Sequence, residues 1–548
     1  MCAAHERRSR GHHTAMVPAA ILALVAVAQA SPDAPPARGF HLHLLGTHAA
    51  GVFDRSASEI AAFHAPTRRL WVVNGAAGID VIDLSDPSAP RKVTTHAMPA
   101  PTSVAIHGDT VAVAVPSGNA TPGAVRFLDL DGRMLADVTV GHGPDMCTFT
   151  PDGRTLVVAN EGEPAGDVDP EGSISIIDLR DGPAKATVRT ADFRAFEAER
   201  ARLAGEGAHL PVPGASVAQQ SEPEYVAISP DGRHALVTLQ ESNALARIDL
   251  EAARVLSMTG LGLKDFSASG LDASDADGAI DIRPWPVLGL RQPDTVVTWE
   301  SGGTTWFATS NEGEARETKA FDEVVRVKDL ALHPDAFPAA TADPRTARDA
   351  IADPKNLGRL QVSRPACDPD GDGKAERIVA FGGRGITVWR LVDGVPAVAW
   401  DSGDQVERTV AERMPEAHNG DGKKANSRDA RSTSKGPEVE GLALGTVGGR
   451  RLLFAGLERS GGVMTWDVTD PAAPALLDYV NPRDPAAPPA AAGDVAPEGL
   501  LFIPASTSPS GTPLLVACNE LSGTTSIWEV REGPAPDARP DRARHAPR

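Results

Sequence analysis

The fold is decided by residues 223–250, which read PEYVAISPDGRHALVTLQESNALARIDL. A short apolar strand begins at Pro223, and a turn at residues 230–233 follows it. Proline, aspartate and glycine preset the backbone dihedrals of such a turn. Residues 235–240 and 244–250 then have the β-branched and apolar composition of buried strands. The stretch therefore predicts a unit of consecutive antiparallel strands.

The same unit recurs along the chain, and we count seven copies. Successive opening prolines from Pro101 onward lie 43, 79, 70, 144 and 60 residues apart, whereas a propeller blade takes roughly 40–45 residues. We expect the excess to form loops or small excursions over one face, in residues 183–221, 256–291, 313–375 and 402–436. The first strands begin at Ser58, Pro101, Pro144, Pro223, Pro293, Pro437 and Pro497.

The repeat predicts an all-β fold, a seven-bladed β-propeller with long loop insertions that occupies residues 42–531. Residues 42–47 precede the first unit, and we expect them to pair with the last blade and close the ring. The alternative is a pair of β-sandwiches or separate β domains. It is less favoured because it gives no reason for the same proline–acid opening to recur through the chain.

The net charge of the chain restricts the classes of binding partner that we expect. Among 548 residues, 53 Lys and Arg face 73 Asp and Glu, a net charge of −20 at pH 7. Such a surface repels phosphate backbones and anionic lipid and favours cations, so nucleic acid is not expected as a partner. A hydrophobic content of 41% with 23% charged residues indicates a globular chain, which we expect to be a monomer.

The chain begins with features typical of export. Arg7, Arg8 and Arg10 precede an apolar run at residues 16–27 and the small-residue site that ends at Ala30. This pattern predicts a signal peptide at residues 1–30, cleaved near Ala30, and a protein secreted to the periplasm or the exterior. Residues 31–41 are interpreted as a linker and residues 532–548 as a disordered tail. No later segment has the roughly 20 apolar residues of a membrane span.

Three cysteines remain after the predicted leader, Cys147, Cys367 and Cys518. So few thiols in so long a chain do not form a disulfide framework. Cys147 follows the acid of a first strand and is a candidate soft ligand for iron. A small buried hydrophobe is the commoner role for such a cysteine, and we favour it.

Several motifs together resemble a known family. They are LLGT at 44–47, GVFD at 51–54, VVANEGE at 157–163, ATSNEGEARE at 308–317, FGGR at 381–384, KGPEVEG at 435–441, GLER at 456–459 and PEGL at 497–500. In this order the motifs resemble the bacterial choice-of-anchor I proteins, which are similar to the mesenchyme-specific cell-surface glycoproteins of biomineralising animals. The resemblance implies a propeller exported to the cell exterior. It extends more distantly to alkaline phosphatase-like and phytase-like propellers.

Acidic residues occupy two positions of the repeat that a propeller brings to one face, the start of the first strand and the end of the second. The clustered carboxylates predict a site for Ca²⁺ or Mg²⁺, which prefer oxygen ligands. The alternative is that each acid only accepts backbone N–H bonds. The first position holds Glu59, Asp145, Glu224, Asp294, Glu438, Glu440 and Glu498, and the second holds Glu161, Glu241, Glu312, Glu458 and Glu520.

A second candidate metal site is the stretch DPDGDGKAE at residues 368–376. Its acids occupy calcium-loop positions 1, 3, 5 and 9, and the carbonyl of position 7 belongs to Lys374. Position 12 is Val379 and not a glutamate, so we interpret the stretch as a structural Ca²⁺ loop in a β-hairpin, with a solvated turn as the alternative. The proposed ligands are Asp368, Asp370, Asp372, Lys374 and Glu376.

Two functions remain open. The first is a secreted calcium-binding propeller that presents a face to an extracellular ligand. The second is a metal-dependent phosphoesterase acting on a small phosphoester, with another divalent ion or iron as an alternative to Ca²⁺. His142, Arg316 and Arg459 lie beside the acids and are candidates to bind phosphate oxygens, or, for the arginines, to neutralise a neighbouring glutamate. No nucleophile elbow, phosphate loop, zinc-protease motif or dinucleotide fingerprint occurs.

Overall fold

A computed structural model describes residues 39–118, 120–316 and 321–533. The predicted signal peptide, most of the predicted linker and nearly all of the predicted tail lie outside these residues. No helix in the described ranges is long and apolar enough to cross a bilayer.

Most of the chain forms four-stranded antiparallel meanders. The chain begins with β1 (Phe40–Ala49). The first sheet comprises β2 (Ala61–His64), β3 (Arg69–Asn74), β4 (Gly78–Asp83) and β5 (Arg91–Ala97). The second comprises β6 (Ser103–His107), β7 (Thr110–Val115), β8 (Pro122–Leu128) and β9 (Met134–His142). The third comprises β10 (Pro144–Phe149), β11 (Thr155–Asn160), β12 (Ser173–Asp178) and β13 (Thr187–Asp192). The fourth comprises β14 (Pro223–Ile228), β15 (His234–Leu239), β16 (Ala244–Asp249) and β17 (Arg254–Gly260).

The second half of the chain interleaves an additional sheet with three more meanders. Strands β18 (Leu263–Asp265) and β19 (Leu288–Leu290) precede β20 (Val296–Ser301) and β21 (Thr304–Asn311). Strands β22 (Val324–Arg326), β23 (Gln361–Ser363) and β24 (Val379–Ala380) precede β25 (Gly385–Val392) and β26 (Val395–Asp401). The fifth sheet is β20, β21, β25 and β26. The sixth comprises β27 (Val439–Val447), β28 (Arg450–Leu457), β29 (Val463–Asp467) and β30 (Ala475–Val480). The seventh comprises β31 (Pro497–Ile503), β32 (Leu514–Asn519) and β33 (Thr524–Glu532), with β1 beside β33.

Helices are few and short. The α-helices are α1 (Arg200–Gly205), α2 (Val217–Gln220), α3 (Phe266–Ser269), α4 (Arg348–Ile351), α5 (Arg364–Cys367) and α6 (Gln405–Arg413). The 3₁₀ turns are Pro183–Lys185, Arg194–Glu199, Val327–Asp329, Pro344–Thr346, Pro415–Ala417 and Pro489–Ala491. Most of them lie in the segments between sheets or in the insertions, and Pro183–Lys185 lies in the connection between β12 and β13. The fold is therefore all-β.

The N-terminal strand completes the last sheet. Strand β1 runs antiparallel to β33, with Leu42 opposite Val530 and Thr47 opposite Ser526. The expected pairing of residues 42–47 with the last unit is therefore present. Strand β33 continues to Glu532, one residue beyond the predicted end of the domain.

The meanders pack face to face around a common centre. Buried clusters lie between consecutive sheets, as between the first and second and the third and fourth. One cluster joins the seventh sheet to the first through residues such as Val516 and Leu70. The first strand of each sheet contacts the first strand of the next, and β31 contacts β2. This arrangement is a β-propeller.

The insertions fold more than the sequence predicted. Strands β18, β19, β24, β23 and β22 form a five-stranded sheet that includes a parallel β19–β24 pair. It has its own buried cluster, to which Trp285, Phe337 and Leu357 belong. The sequence predicted loops or small excursions for residues 256–291 and 313–375. The strands within them were not predicted, because strands of two or three residues are too short to show an alternating pattern.

Candidate metal centre

The first strands surround one cavity of about 250 Å³. Seven carboxylates from six different sheets line it, and the second sheet contributes Thr102 and Ser103 instead. No lysine or arginine of the described residues lines the cavity. The seven acids are Glu59, Asp145, Glu224, Asp294, Glu312, Glu440 and Glu498.

A β-bulge directs four of these side chains toward the cavity. The register between first and second strands shifts after Pro144, Pro223, Val439 and Pro497, at the residue that carries the acid. An extra residue on one strand bends it and turns the side chain, a device common beside functional sites. The recurring proline–acid opening is therefore a bulge that points a carboxylate inward.

The bulge explains why Glu440 lines the cavity and Glu438 does not. Val439 pairs with Leu457 as Pro497 pairs with Asn519, so Glu440 is equivalent to Glu498. The placement of Glu438 among the first-strand acids was wrong in this respect. The sequence signal for the correct register is Glu-Gly-Leu, which is shared by residues 440–442 and 498–500.

The glycine of this signal allows neighbouring first strands to approach closely. A Cβ at Gly441 would overlap the carbonyl oxygen of Glu498, and one at Gly499 would overlap the carbonyl oxygen of Glu59. Any larger residue would separate the strands, so the glycines keep the lining acids near one another.

Burial makes ionisation of the lining acids unfavourable. Loss of solvent, assisted by neighbouring carboxylates, raises the pKa of Glu59 to about 8 and that of Asp145 to about 7. The pKa values of Glu224, Asp294, Glu440 and Glu498 lie well above the usual range for the same two reasons, burial first. Burial also raises the pKa of Glu312, against the opposing charge of Lys435. The cavity therefore holds protons or attracts cations.

Two groups of three carboxylates have the spacing of metal ligands. One oxygen from each of Glu161, Glu224 and Glu241 lies within 4.8 Å of the other two. The same holds for Asp294, Glu312 and Glu440. In the described part of the chain, the buried Oε2 atoms of Glu241 and Glu440 have no hydrogen-bond partner. A buried carboxylate oxygen without a donor is costly, and a bound cation would satisfy it.

Basic side chains occupy the side of the mouth next to Glu312. Lys435 Nζ lies 2.6 Å from Glu312 Oε1 and 3.3 Å from Glu438 Oε2. Arg431 and Arg459 also pair with Glu438, at 2.5 and 3.2 Å. These cations outweigh burial and hold the pKa of Glu438 at about 2.

The remaining strand-end acids are more mixed. Glu458 pairs with Arg459 at 3.0 Å. Burial, the larger cause, and the charge of Glu438 nevertheless raise the pKa of Glu458 to about 8. Glu312, Glu438 and Glu458 form a third group with ligand atoms within 4.8 Å. Glu520 accepts a hydrogen bond of 2.8 Å from Ser56 Oγ and belongs to none of the groups found among the described residues.

The calcium-type loop lies between α5 and β24. The structure brings Asp368, Asp370, Asp372 and Glu376 together, with ligand atoms within 4.8 Å. Asp368 also accepts backbone N–H bonds from Gly371 and Gly373, both at 2.9 Å. Strands β23 and β24, on either side, pair antiparallel through Val362 and Ala380. The loop thus joins two antiparallel strands, as the hairpin interpretation requires, and its occupancy by Ca²⁺ stays a prediction.

The candidate phosphate-binding residues are placed differently from one another. Arg316 is buried and pairs with Glu222 at 2.6 Å, and Arg459 pairs with Glu438 and Glu458. Both arginines therefore neutralise glutamates, the alternative considered for them. His142 ends β9, opposite Pro122. None of the three lines the central cavity.

The cysteines are inert in this structure. Cys147, Cys367 and Cys518 are buried and form no disulfide within the described ranges. Burial raises the pKa of each thiol to about 12. Cys147 packs in the cluster between the second and third sheets, which agrees with its role as a small hydrophobe.

Comparisons place the chain beside known proteins. A family model described as the choice-of-anchor I domain matches residues 59–471. The mesenchyme-specific cell surface glycoprotein of Strongylocentrotus purpuratus is 30% identical over 229 residues, which are 36% of this chain and 28% of that protein. Gigasin-3a of Magallana gigas is 30% identical over 200 residues, 33% of this chain and 68% of that protein.

Solved structures are similar at lower identity. Hydrazine synthase of Kuenenia stuttgartiensis aligns with 89% of this chain and 99% of its own, at 13% identity and a TM-score of 0.45. The β-propeller domain of Myceliophteria thermophila Cps50 (Swd1) aligns with 90% of this chain and 100% of its own, at 10% identity and a TM-score of 0.46.

Proposed function

The chain belongs to the choice-of-anchor I family, and from this premise we propose that it is an exported, calcium-binding β-propeller whose acidic cavity holds one or more divalent cations. The cation-loaded face would then present a binding surface to an extracellular ligand. The observation that carries the proposal is the cavity lined by seven carboxylates and by no lysine or arginine of the described residues.

Electrostatics supports a cation in the cavity. Seven acids lining a volume of about 250 Å³ repel one another when ionised and have lost much of their hydration. Protons relieve this at low pH, but a divalent ion relieves it at neutral pH and also satisfies the unpartnered oxygens of Glu241 and Glu440. Oxygen-only ligand sets favour Ca²⁺ or Mg²⁺ over softer metals.

We infer that the seven four-stranded sheets are seven blades of a closed ring. The contact between β31 and β2 and the cluster shared by the last and first sheets support closure. A closed ring is what brings acids from distant parts of the chain to one mouth. The loop at Asp368 would bind a separate, structural Ca²⁺.

Export and a surface role rest on sequence and relatives. Residues 1–30 have the pattern of a cleaved signal peptide. One matching relative is named a cell surface glycoprotein. Binding is favoured over phosphate hydrolysis because Arg316 and Arg459, the two arginines considered as phosphate ligands, are already paired with glutamates.

Calcium titration of the purified protein tests the proposal. We compare the wild type with Glu440→Gln/Glu498→Gln, which keeps side-chain size but removes two charges, and with the exposed control Glu251→Gln. We expect Ca²⁺ binding to the wild type and the control with a Kd below about 1 mM, the range of extracellular modules. The double variant should lose the Ca²⁺ binding that belongs to the cavity. It should keep the Ca²⁺ binding of the loop at Asp368, which Asp370→Ala removes.

Absence of Ca²⁺, Mg²⁺ and Mn²⁺ binding to the wild type, or full binding by the double variant, would overturn the proposal. Hydrolysis of an aryl phosphate is measured on the same samples. Cation-dependent turnover that the double variant lacks would identify the phosphoesterase instead of the binding protein.

A further inference from the structure

A buried group of Asp272, His418 and Asp429 lies away from the central cavity. Asp272 belongs to the insertion between β18 and β19, whereas His418 and Asp429 belong to the insertion between α6 and β27. The exposed fractions are 0% for Asp272 and His418 and 8% for Asp429. Three titratable side chains are thus enclosed where two insertions meet.

The geometry of the group matches that of metal ligands. One ligand atom from each residue lies within 4.8 Å of the other two. His418 Nε2 lies 3.0 Å from Asp272 Oδ2. The backbone N–H of Asp429 donates to the carbonyl oxygen of His418 at 2.8 Å, which fixes the two residues of the second insertion relative to each other.

Two buried atoms of the group have no partner in the part of the chain described. They are Asp272 Oδ1 and His418 Nδ1. Both residues are completely buried, so water does not satisfy these atoms from the surface. An unsatisfied carboxylate oxygen in such a place costs much more than an ordinary polar group, which points to a missing cation.

The charges around the group leave it negative. Arg384 is the nearest guanidinium, but it pairs with Glu407 at 2.9 Å and also donates to the carbonyl oxygens of Asp272, Ser432 and Ser434. Across the described ranges, no lysine or arginine forms an ion pair with Asp272 or Asp429. Beside a neutral imidazole, the two carboxylates would carry, once ionised, a charge that one divalent ion balances.

We propose that Asp272, His418 and Asp429 bind one divalent transition-metal ion, of the Zn²⁺ or Mn²⁺ class, that fastens the two insertions to each other. An imidazole with two carboxylates suits these ions, whereas Ca²⁺ and Mg²⁺ prefer oxygen alone. The site is independent of the cavity at the mouth. Because it is enclosed, the ion enters as the chain folds and exchanges slowly.

Metal analysis of the intact chain tests the site. Protein produced with added Zn²⁺ or Mn²⁺ is dialysed against metal-free buffer, and its metal content is measured by mass spectrometry. We expect about one equivalent of transition metal in the wild type and in the exposed control Glu251→Gln, and less than about a tenth of that in Asp429→Asn and His418→Gln. Chelation under mild denaturant should lower the thermal midpoint of the wild type only.

A spectroscopic measurement protects the test against a variant that fails to fold. Wild-type protein refolded with Co²⁺ should show visible absorption bands of a bound, low-symmetry ion, and one equivalent of Zn²⁺ should abolish them. No retained transition metal and no Co²⁺ bands in folded wild type would overturn the proposal. A metal content in folded Asp429→Asn and His418→Gln that equals that of the wild type would overturn the proposal as well.

Discussion

Glu438 and Glu440 stand two residues apart in one strand region and behave oppositely. Glu438 faces Lys435, Arg431 and Arg459, and its pKa falls to about 2. Glu440 faces Glu498 and other acids of the cavity, and its pKa lies well above the usual range. Both side chains leave water, so burial acts on them in the same direction. The difference shows that neighbouring charges decide which buried acid is an ion-pair partner and which is a candidate metal ligand.

The largest expected effect comes from removing the charge of Glu438, the acid that is paired with basic side chains. Glu438→Gln leaves three basic groups without their shared carboxylate, and removing one partner of a buried network is strongly destabilising. We expect a loss of about 3 kcal/mol in the free energy of unfolding, measured in urea. An unchanged midpoint would mean that solvent screens the basic groups and that the network contributes little.

The pH dependence of stability tests the unpaired side. The folded-state pKa values of Glu59 and Glu458, about 8, exceed the value of an unfolded glutamate. The folded chain therefore binds more protons than the unfolded chain between about pH 5 and about pH 8, and its stability falls as the pH rises through this window. We expect a loss of about 2 kcal/mol without cations.

Calcium should oppose this loss, because it binds the ionised form. The increase in thermal midpoint on adding Ca²⁺ should therefore grow from about pH 5 to about pH 8. An increase in thermal midpoint that does not change with pH would mean that Ca²⁺ does not bind to the cavity acids.

Glu440→Gln provides the matched contrast to Glu438→Gln. Without cations it removes a charge that burial and like charges disfavour, so we expect a gain of about 1 kcal/mol in urea unfolding at pH 8. With Ca²⁺ the sign should reverse, because the variant has lost a ligand. A loss in both conditions would show that Glu440 stabilises the fold by a hydrogen bond and not as part of a cation site.

The smallest expected effect concerns the loop at Asp368. Two of its four acids, Asp370 and Asp372, are exposed to solvent, so we expect the loop to fold without a cation. With Ca²⁺ near its Kd, Asp370→Ala should lower stability by about 0.4 kcal/mol relative to wild type, and by nothing in chelator. Calorimetry at several Ca²⁺ concentrations measures this difference. Identical melting curves for both proteins at every Ca²⁺ concentration would show that the loop does not bind Ca²⁺.

Much of the site could be predicted from the repeat. The proline–acid opening placed Asp145, Glu224 and Glu498 at the start of first strands, and all three line the cavity. The prediction failed at Glu438, because a proline precedes it as in the other units, while the bulge starts at Val439, two residues after that proline. Strand register depends on the pairing partner, which a single strand does not reveal.

The buried Asp272, His418 and Asp429 group gave no usable signal. The hydrogen-bonded pair, Asp272 and His418, is separated by 146 residues in the sequence. All three residues lie in insertions that the sequence predicted to be loops or small excursions. No fixed spacing connects them, unlike the acids of residues 368–376. Only the packing of the insertions brings them together.

The sequence by itself determined the all-β repeat, the family and the acidic character of the first strands, because alternation, turn residues and motif order are local properties of the chain. Tertiary structure alone decided which acids share a cavity, which ones meet Lys435 and the arginines, and where the insertions enclose polar atoms. These outcomes depend on distances between residues far apart in sequence, and both the electrostatic energy and the loss of hydration follow from those distances.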